Sequence, residues 1–149
     1  MAKGEYYTHG DAQTVATAIT ILEIDAPATA IEIVMRYKVS QSSVTTSTAT
    51  RARLLRKTAT ITGTASPPTP APRGADAASG ATVKWIATAE GTDGTVLDED
   101  GINYLNGWLI IPGALEQWIV PPSGIVALKF PAAPTSAAWT FGIGHQELG

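Results

Sequence analysis

At 149 residues, with a net charge of −3 and no cysteine, the chain has the length of one domain able to bury its own core, and disulfides and thiolate metal sites are closed to it. The acidic balance argues against nucleic acid, which calls for a basic stripe, and no run of roughly 18 apolar residues offers a membrane span. Charged residues make up 15%, against about 25% in ordinary soluble domains; this is either compositional drift or the mark of a surface covered by neighbours.

Residues 1–12 are polar and hold Gly4, Gly10 and the pair Tyr6-Tyr7. They lack the apolar core of a signal peptide, which predicts synthesis in a cytoplasm. They read as an extended N-terminal arm, either frayed or docked on a partner through its tyrosines. Thr14 to Ile24 has strand composition, and its alternation changes phase between Ile21 and Leu22, which predicts a bulge or burial on both faces. Asp25-Ala-Pro27 ends it as a turn. From Ile31 to Val39 the pattern predicts a strand with Ile31, Ile33, Met35, Tyr37 and Val39 on the core face. Glu32, Arg36 and Lys38 fall on the other, with Val34 as the apolar exception.

Gln41 to Thr50 is a Ser/Thr-rich loop, and Arg51 to Thr62 returns to strand with imperfect alternation. Residues 66–80 form a Pro/Ala-rich loop, which predicts an extended path that is either a floppy insertion or a clasp laid on a neighbour. Short strands then follow at Thr82–Ala89, Thr95–Leu97, Tyr104–Ile111, Glu116–Val120, Ile125–Phe130 and Ala138–His145. Between them lie the turn signals Gly91-Thr-Asp-Gly94, Asp100-Gly101, Pro112-Gly113, Pro121-Pro-Ser-Gly124 and Pro131-Ala-Ala-Pro134. The last strand puts Trp139, Phe141, Ile143 and His145 on one face. Gly142 and Gly144 are on the other, where they mark either a twisted edge or a place for another backbone to approach. No segment has a helical apolar period. The pattern predicts an all-β fold, a jelly-roll-like sandwich of about eight strands, with residues 13–149 as one domain.

Chemistry is sparse. The two histidines, His9 and His145, lie near opposite ends and read as polar surface residues, with no nucleophile motif beside either. Asp93, Asp98, Glu99 and Asp100 form the densest acidic group, without the spacing of a calcium loop, and read as surface turn acids. Glu90, Asp93 and Glu116, with Trp85, Trp108, Trp118 and Trp139, contain the residue types of a glycosidase, but no spacing pairs them. The pattern predicts neither catalytic residues, metal nor cofactor.

From Thr17 onward the order of the blocks resembles a family of small proteins encoded with the structural genes of tailed phages, the capsid decoration (cement) proteins. The likeness is carried by Ile31–Val39, the Arg-Ala-Arg-Leu-Leu-Arg-Lys strand at 51–57, the Pro/Ala-rich loop, Asn106-Gly-Trp-Leu-Ile-Ile-Pro112 and Val120-Pro-Pro-Ser-Gly-Ile-Val-Ala-Leu-Lys129. The resemblance implies a homotrimer on the outer capsid surface of a virion. It also implies contact with neighbouring major capsid proteins, no nucleic acid or membrane partner and no catalytic residues. Residues 1–12 and 66–80 are then the expected contact segments, with Tyr6, Tyr7, Pro68, Pro70 and Arg73 as anchors. Arg51, Arg53 and Lys57 are either a solvated face or a match for an acidic patch on the shell. Rival readings are another virion part (head fibre, tail or baseplate protein), a jelly-roll carbohydrate-binding module, which needs exposed tryptophans on one face, and an enzyme.

Overall fold

The computed structural model describes residues 2–43, 49–74, 76–103 and 106–149. Parts of the predicted Gln41–Thr50 loop, of the Pro-rich loop (residue 75) and of the predicted strand from Tyr104 lie outside the described residues. The strands are β1 (Ala2–Val15), β2 (Thr20–Asp25), β3 (Ile31–Gln41), β4 (Thr50–Lys57), β5 (Thr62–Gly63), β6 (Ala71–Pro72), β7 (Thr82–Trp85), β8 (Ala87–Ala89), β9 (Asp93–Ile102), β10 (Trp108–Ile110), β11 (Trp118–Val120), β12 (Ile125–Lys129) and β13 (Ala137–Leu148). No helix occurs among the described residues.

The chain is a β-sandwich. One sheet runs β10-β3-β13-β1-β6, with β11 also on β3; the other runs β7-β2-β12-β4-β9. All of these pairings are antiparallel. Leaving aside the short β5 to β8, successive strands from β1 to β9 alternate between the sheets or run side by side in one. The first and last strands, β1 and β13, pair with each other, as in a jelly roll. The core between the sheets is built from Ile24, Leu54, Val126 and Leu128 on one side and Tyr37, Val39, Phe141 and Ile143 on the other. Phe130 and Trp139 close one end with ring centroids 4.9 Å apart. Each fully buried side chain of this size contributes about 1.5–3 kcal/mol.

Three departures from the pattern have physical reasons. First, residues 2–15 are not a projecting arm. β1 pairs with β13 from Ala2↔Leu148 to Val15↔Ala137, with an irregularity between Gly10 and Gln13 where Ala12 takes a φ of 50°. Its inward positions Tyr6 and Thr8 are buried, and the polarity of Thr8 and the lack of a side chain at Gly10 hide the alternation. Second, β3 changes face midway. Gly144 pairs with Arg36 but His145 with Val34, so Met35 is an extra residue and the strand bulges there. Beyond the bulge Glu32 and Val34 point inward, and Ile31, Ile33 and Met35 are left half-exposed on the outer face. Third, Asp93-Gly94 and Asp100-Gly101 are not turns but lie inside β9, an edge strand whose carboxylates discourage further pairing.

The imperfect alternation of β4 corresponds to two register shifts against β9. The phase change at Ile21-Leu22 corresponds to burial on both faces of β2. The Pro-rich loop is laid along the molecule itself. Its β6 pairs with β1 (Tyr6↔Pro72, Tyr7↔Ala71), and its end at Ser79 and Gly80 donates to the buried Glu147 carboxylate at 2.9 and 2.7 Å.

Candidate interaction surface

The two segments expected to reach a partner reach each other. Tyr6 is fully buried and its hydroxyl donates to Ala77 O at 2.6 Å, which removes it from any outer contact. Arg73 is exposed; its backbone N–H donates to Glu5 O and its guanidinium pairs with Glu5, both at 2.8 Å. Tyr7 is half-buried on the outer face, stacked on the exposed His9 ring at 5.4 Å. Pro68 and Pro70 are half-buried in the stretch leading into β6. The structure therefore joins Tyr6, Tyr7 and Arg73 through the β1–β6 seam, with the two prolines upstream of it.

Gly142 and Gly144 on the outer face of β13 are also filled from within the chain. Tyr7 lies over Gly142, and a Cβ at Gly144 would stand 2.7 Å from Arg36 Cγ. The Arg36 guanidinium sits over the Tyr7 ring, 4.1 Å from its centroid.

His145 is not a surface residue. It is buried between the sheets with Nδ1 within hydrogen-bond distance, 2.6 Å, of Glu32 Oε2. Tyr6 lies beside it at 5.5 Å between centroids, and Glu147 stands opposite Glu32 in the β13–β3 register. This polar cluster closes the end of the core under the loop end at 77–80, and no signal in the period-2 pattern distinguishes it from a solvated strand end.

The charges read as a possible contact patch are internal ties. Arg51 and Arg53 both hold Glu99. The Lys57 side chain is fully buried and donates to Thr20 Oγ1, Glu90 Oε2 and Asp93 Oδ1 at 3.2, 3.1 and 2.8 Å, while Lys129 also reaches Asp93 at 2.7 Å. Burial by itself would raise Glu90 and Asp93, but it is outweighed: hydrogen bonds from Thr20 and Lys57 hold Glu90 below the ordinary carboxylate range, and those from Lys129 and Lys57 hold Asp93 below it. Asp98 accepts from the Tyr37 hydroxyl, whose pKa is pushed far up by burial first and by that carboxylate second. Most of the predicted surface acids are thus paired. Among the described residues no group of three or more His, Asp or Glu is placed to hold a metal ion.

Trp108 and Trp118 pack on Tyr37 at 4.8 and 5.4 Å, Trp139 packs on Phe130, and half-buried Trp85 lies against the core. None of the four is exposed, so an exposed tryptophan platform for sugars is missing.

What the molecule does expose lies elsewhere. The strongly exposed large apolar side chains among the described residues are Val96 and a group in one segment: Leu109 (59%), Ile111 (68%), Leu115 (102%) and Ile119 (52%). That segment is β10, the turn after it and β11, all along the edge of β3. Ile119 stands opposite Ile33, and Ile111 shares a slot with Met35, so the bulge supplies more apolar surface to the same face. The cations without an acid partner gather here as well. Arg36 and Lys38 lie on this stretch of β3, and Arg56 donates to Ile119 O at 2.9 Å, whereas Arg51, Arg53, Lys57, Arg73, Lys84 and Lys129 each have an ion pair. Sequence reasoning missed this face because a regular β3 hides Ile31, Ile33 and Met35 inside. The run Leu109-Ile-Ile111 was the available signal. No protein-family model matches the chain, and neither a curated protein nor a solved structure matches it significantly.

Proposed function

We propose that this protein is a structural component that binds another protein through the β3–β10–β11 face. In the fuller reading it is a virion protein, a homotrimer on the outer surface of a phage capsid that bridges neighbouring major capsid proteins. The observation that carries the binding reading is the exposed apolar segment from Leu109 to Ile119, on a chain whose surface is otherwise poor in both apolar side chains and free charge. Interfaces have this character, with an apolar centre and few charges at it. The capsid reading adds the block order of the sequence and the jelly-roll strand order, an architecture shared by capsid-associated and lectin-like domains alike. Many copies, each adding a standard-sized contact, would sum to a large stabilisation of a shell. Stoichiometry separates decoration from a fibre, tail or baseplate role. Quantified against the major capsid protein in purified particles, decoration gives hundreds of copies, whereas a handful per particle would assign the chain to a vertex or tail.

A further inference from the structure

We infer that the β3–β10–β11 face recognises an extended protein segment carrying apolar side chains beside a carboxylate. The inference rests on the reading of this face as a protein-binding surface and specifies the partner's chemistry.

A slot of about 220 Å³ crosses the outer face of the first sheet. Gly144 lies in it, Met35 and Ile111 give it apolar lining, and Arg36, Arg73 and Glu5 also border it. Its volume is below the roughly 300–1,000 Å³ of small-molecule pockets, so it suits one side chain of a larger partner. The charges around it are unbalanced. Glu5 is already paired with Arg73, whereas Arg36 is held by the Tyr7 ring and has no carboxylate, and Lys38 and Arg56 flank the same apolar strip without one. Glu116, in the turn between β10 and β11, is the nearest acid along that segment. A partner with a carboxylate would satisfy Arg36 without displacing an existing ion pair. In an extended segment, residues two apart share a face, so apolar–x–acid–x–apolar presents all three side chains to the slot and the strip together.

The test uses the whole chain and two synthetic peptides, acetyl-Ser-Leu-Ser-Glu-Ser-Leu-Ser-amide and the same sequence with Lys in place of Glu, titrated to millimolar concentration against the isotope-labelled protein. The expected result is that the Glu peptide shifts the amide resonances of residues 33–38, 109–111 and 144 and the Lys peptide does not. Arg36→Gln should weaken the response about fivefold, the size of an exposed charge pair. Ile111→Ser should weaken it about tenfold through lost apolar contact. Both positions are on the surface, so both variants should fold. Equal shifts from the two peptides, shifts mapping to another face, or no shift from either would overturn the inference. So would an oligomer of the wild-type chain that Ile111→Ser dissociates, because the face would then belong to a second copy. The titration contains no capsid; failure here alongside intact capsid binding would remove the partner chemistry and leave the proposed function standing.

Discussion

Lys57 shows how this chain uses charge. Its ammonium has no exposed surface and is satisfied by Thr20, Glu90 and Asp93. Burial would lower its pKa, but the hydrogen bonds to Asp93 and Glu90 outweigh that and raise it. The sign for stability follows from both sides. Glu90 and Asp93 are depressed in the fold, so their contribution is present above the ordinary carboxylate range and is lost as pH falls through their folded values. Lys57 is raised, so its contribution is present below the ordinary lysine value and is lost only as pH rises through its folded value. Lys57→Met should cost about 2 kcal/mol in urea denaturation at pH 7, below the roughly 3–5 kcal/mol of a fully buried pair because both carboxylates keep some water. It should also flatten the loss of stability in acid. Glu23 behaves in the opposite way. It is buried on the outer face of β2, and burial first, with Asp25 adding to it, raises its pKa despite hydrogen bonds from Thr60 and the Ile61 N–H. The folded chain therefore loses stability as pH rises from the ordinary glutamate value through the raised one. Glu23→Gln should be more stable than wild type at pH 7, and the difference should vanish at pH 4; a uniform loss at both would show that the carboxylate is needed as an acceptor.

At the scale of elements, the β1–β6 seam and the loop end behind it are held by few contacts. Tyr6→Phe removes the bond to Ala77 O and should cost about 1 kcal/mol. Because Arg73 is exposed in that loop, trypsin should cut there about 5-fold faster in the variant while the far-ultraviolet spectrum stays unchanged. An unchanged rate would mean that the Ser79 and Gly80 bonds to Glu147 hold the loop unaided. These elements also show what a sequence can and cannot disclose. The last strand is legible because Trp139, Phe141 and Ile143 alternate with small residues, and over that stretch β13 runs against β3 without a register shift, the extra residue opposite it belonging to β1. β1 is not, because its inward positions include Thr8 and Gly10, and a polar residue facing a core resembles one facing water. β3 is half legible. Its strand existence follows from alternation, but one extra residue at Met35 exchanges the faces of the half before it, and no local residue signals a bulge there. The candidate face inherits that error, since its β3 part is made of residues the regular pattern would bury. Within the Pro-rich loop only Ala71-Pro72 is strand among the described residues, and its pairing with β1 depends on long-range contact, which composition does not encode.

For the whole molecule, the jelly-roll order brings the first and last strands together at the centre of one sheet and places β3, β10 and β11 along its side. Most cations of the second sheet are tied internally, with Lys57, Lys84 and Lys129 all held by carboxylates, while Arg56 of β4 reaches across to Ile119 O on the first sheet's edge. The asymmetry between a second sheet whose cations are mostly paired and an apolar edge on the first, flanked by Arg36, Lys38 and Arg56, is the basis for proposing the latter as the assembly face. On the proposed reading, low overall charge belongs to a chain that works while covered, with the sandwich as the rigid support for that face. The most direct test is sedimentation of the wild-type chain and of Ile111→Ser, each alone and mixed with expanded, undecorated capsids. The account predicts that both run as trimers alone, that the wild type pellets with capsids at a fixed high copy number, and that Ile111→Ser stays in the supernatant. A wild-type chain that remains monomeric and does not pellet, or an Ile111→Ser variant that pellets as well as the wild type, would contradict it.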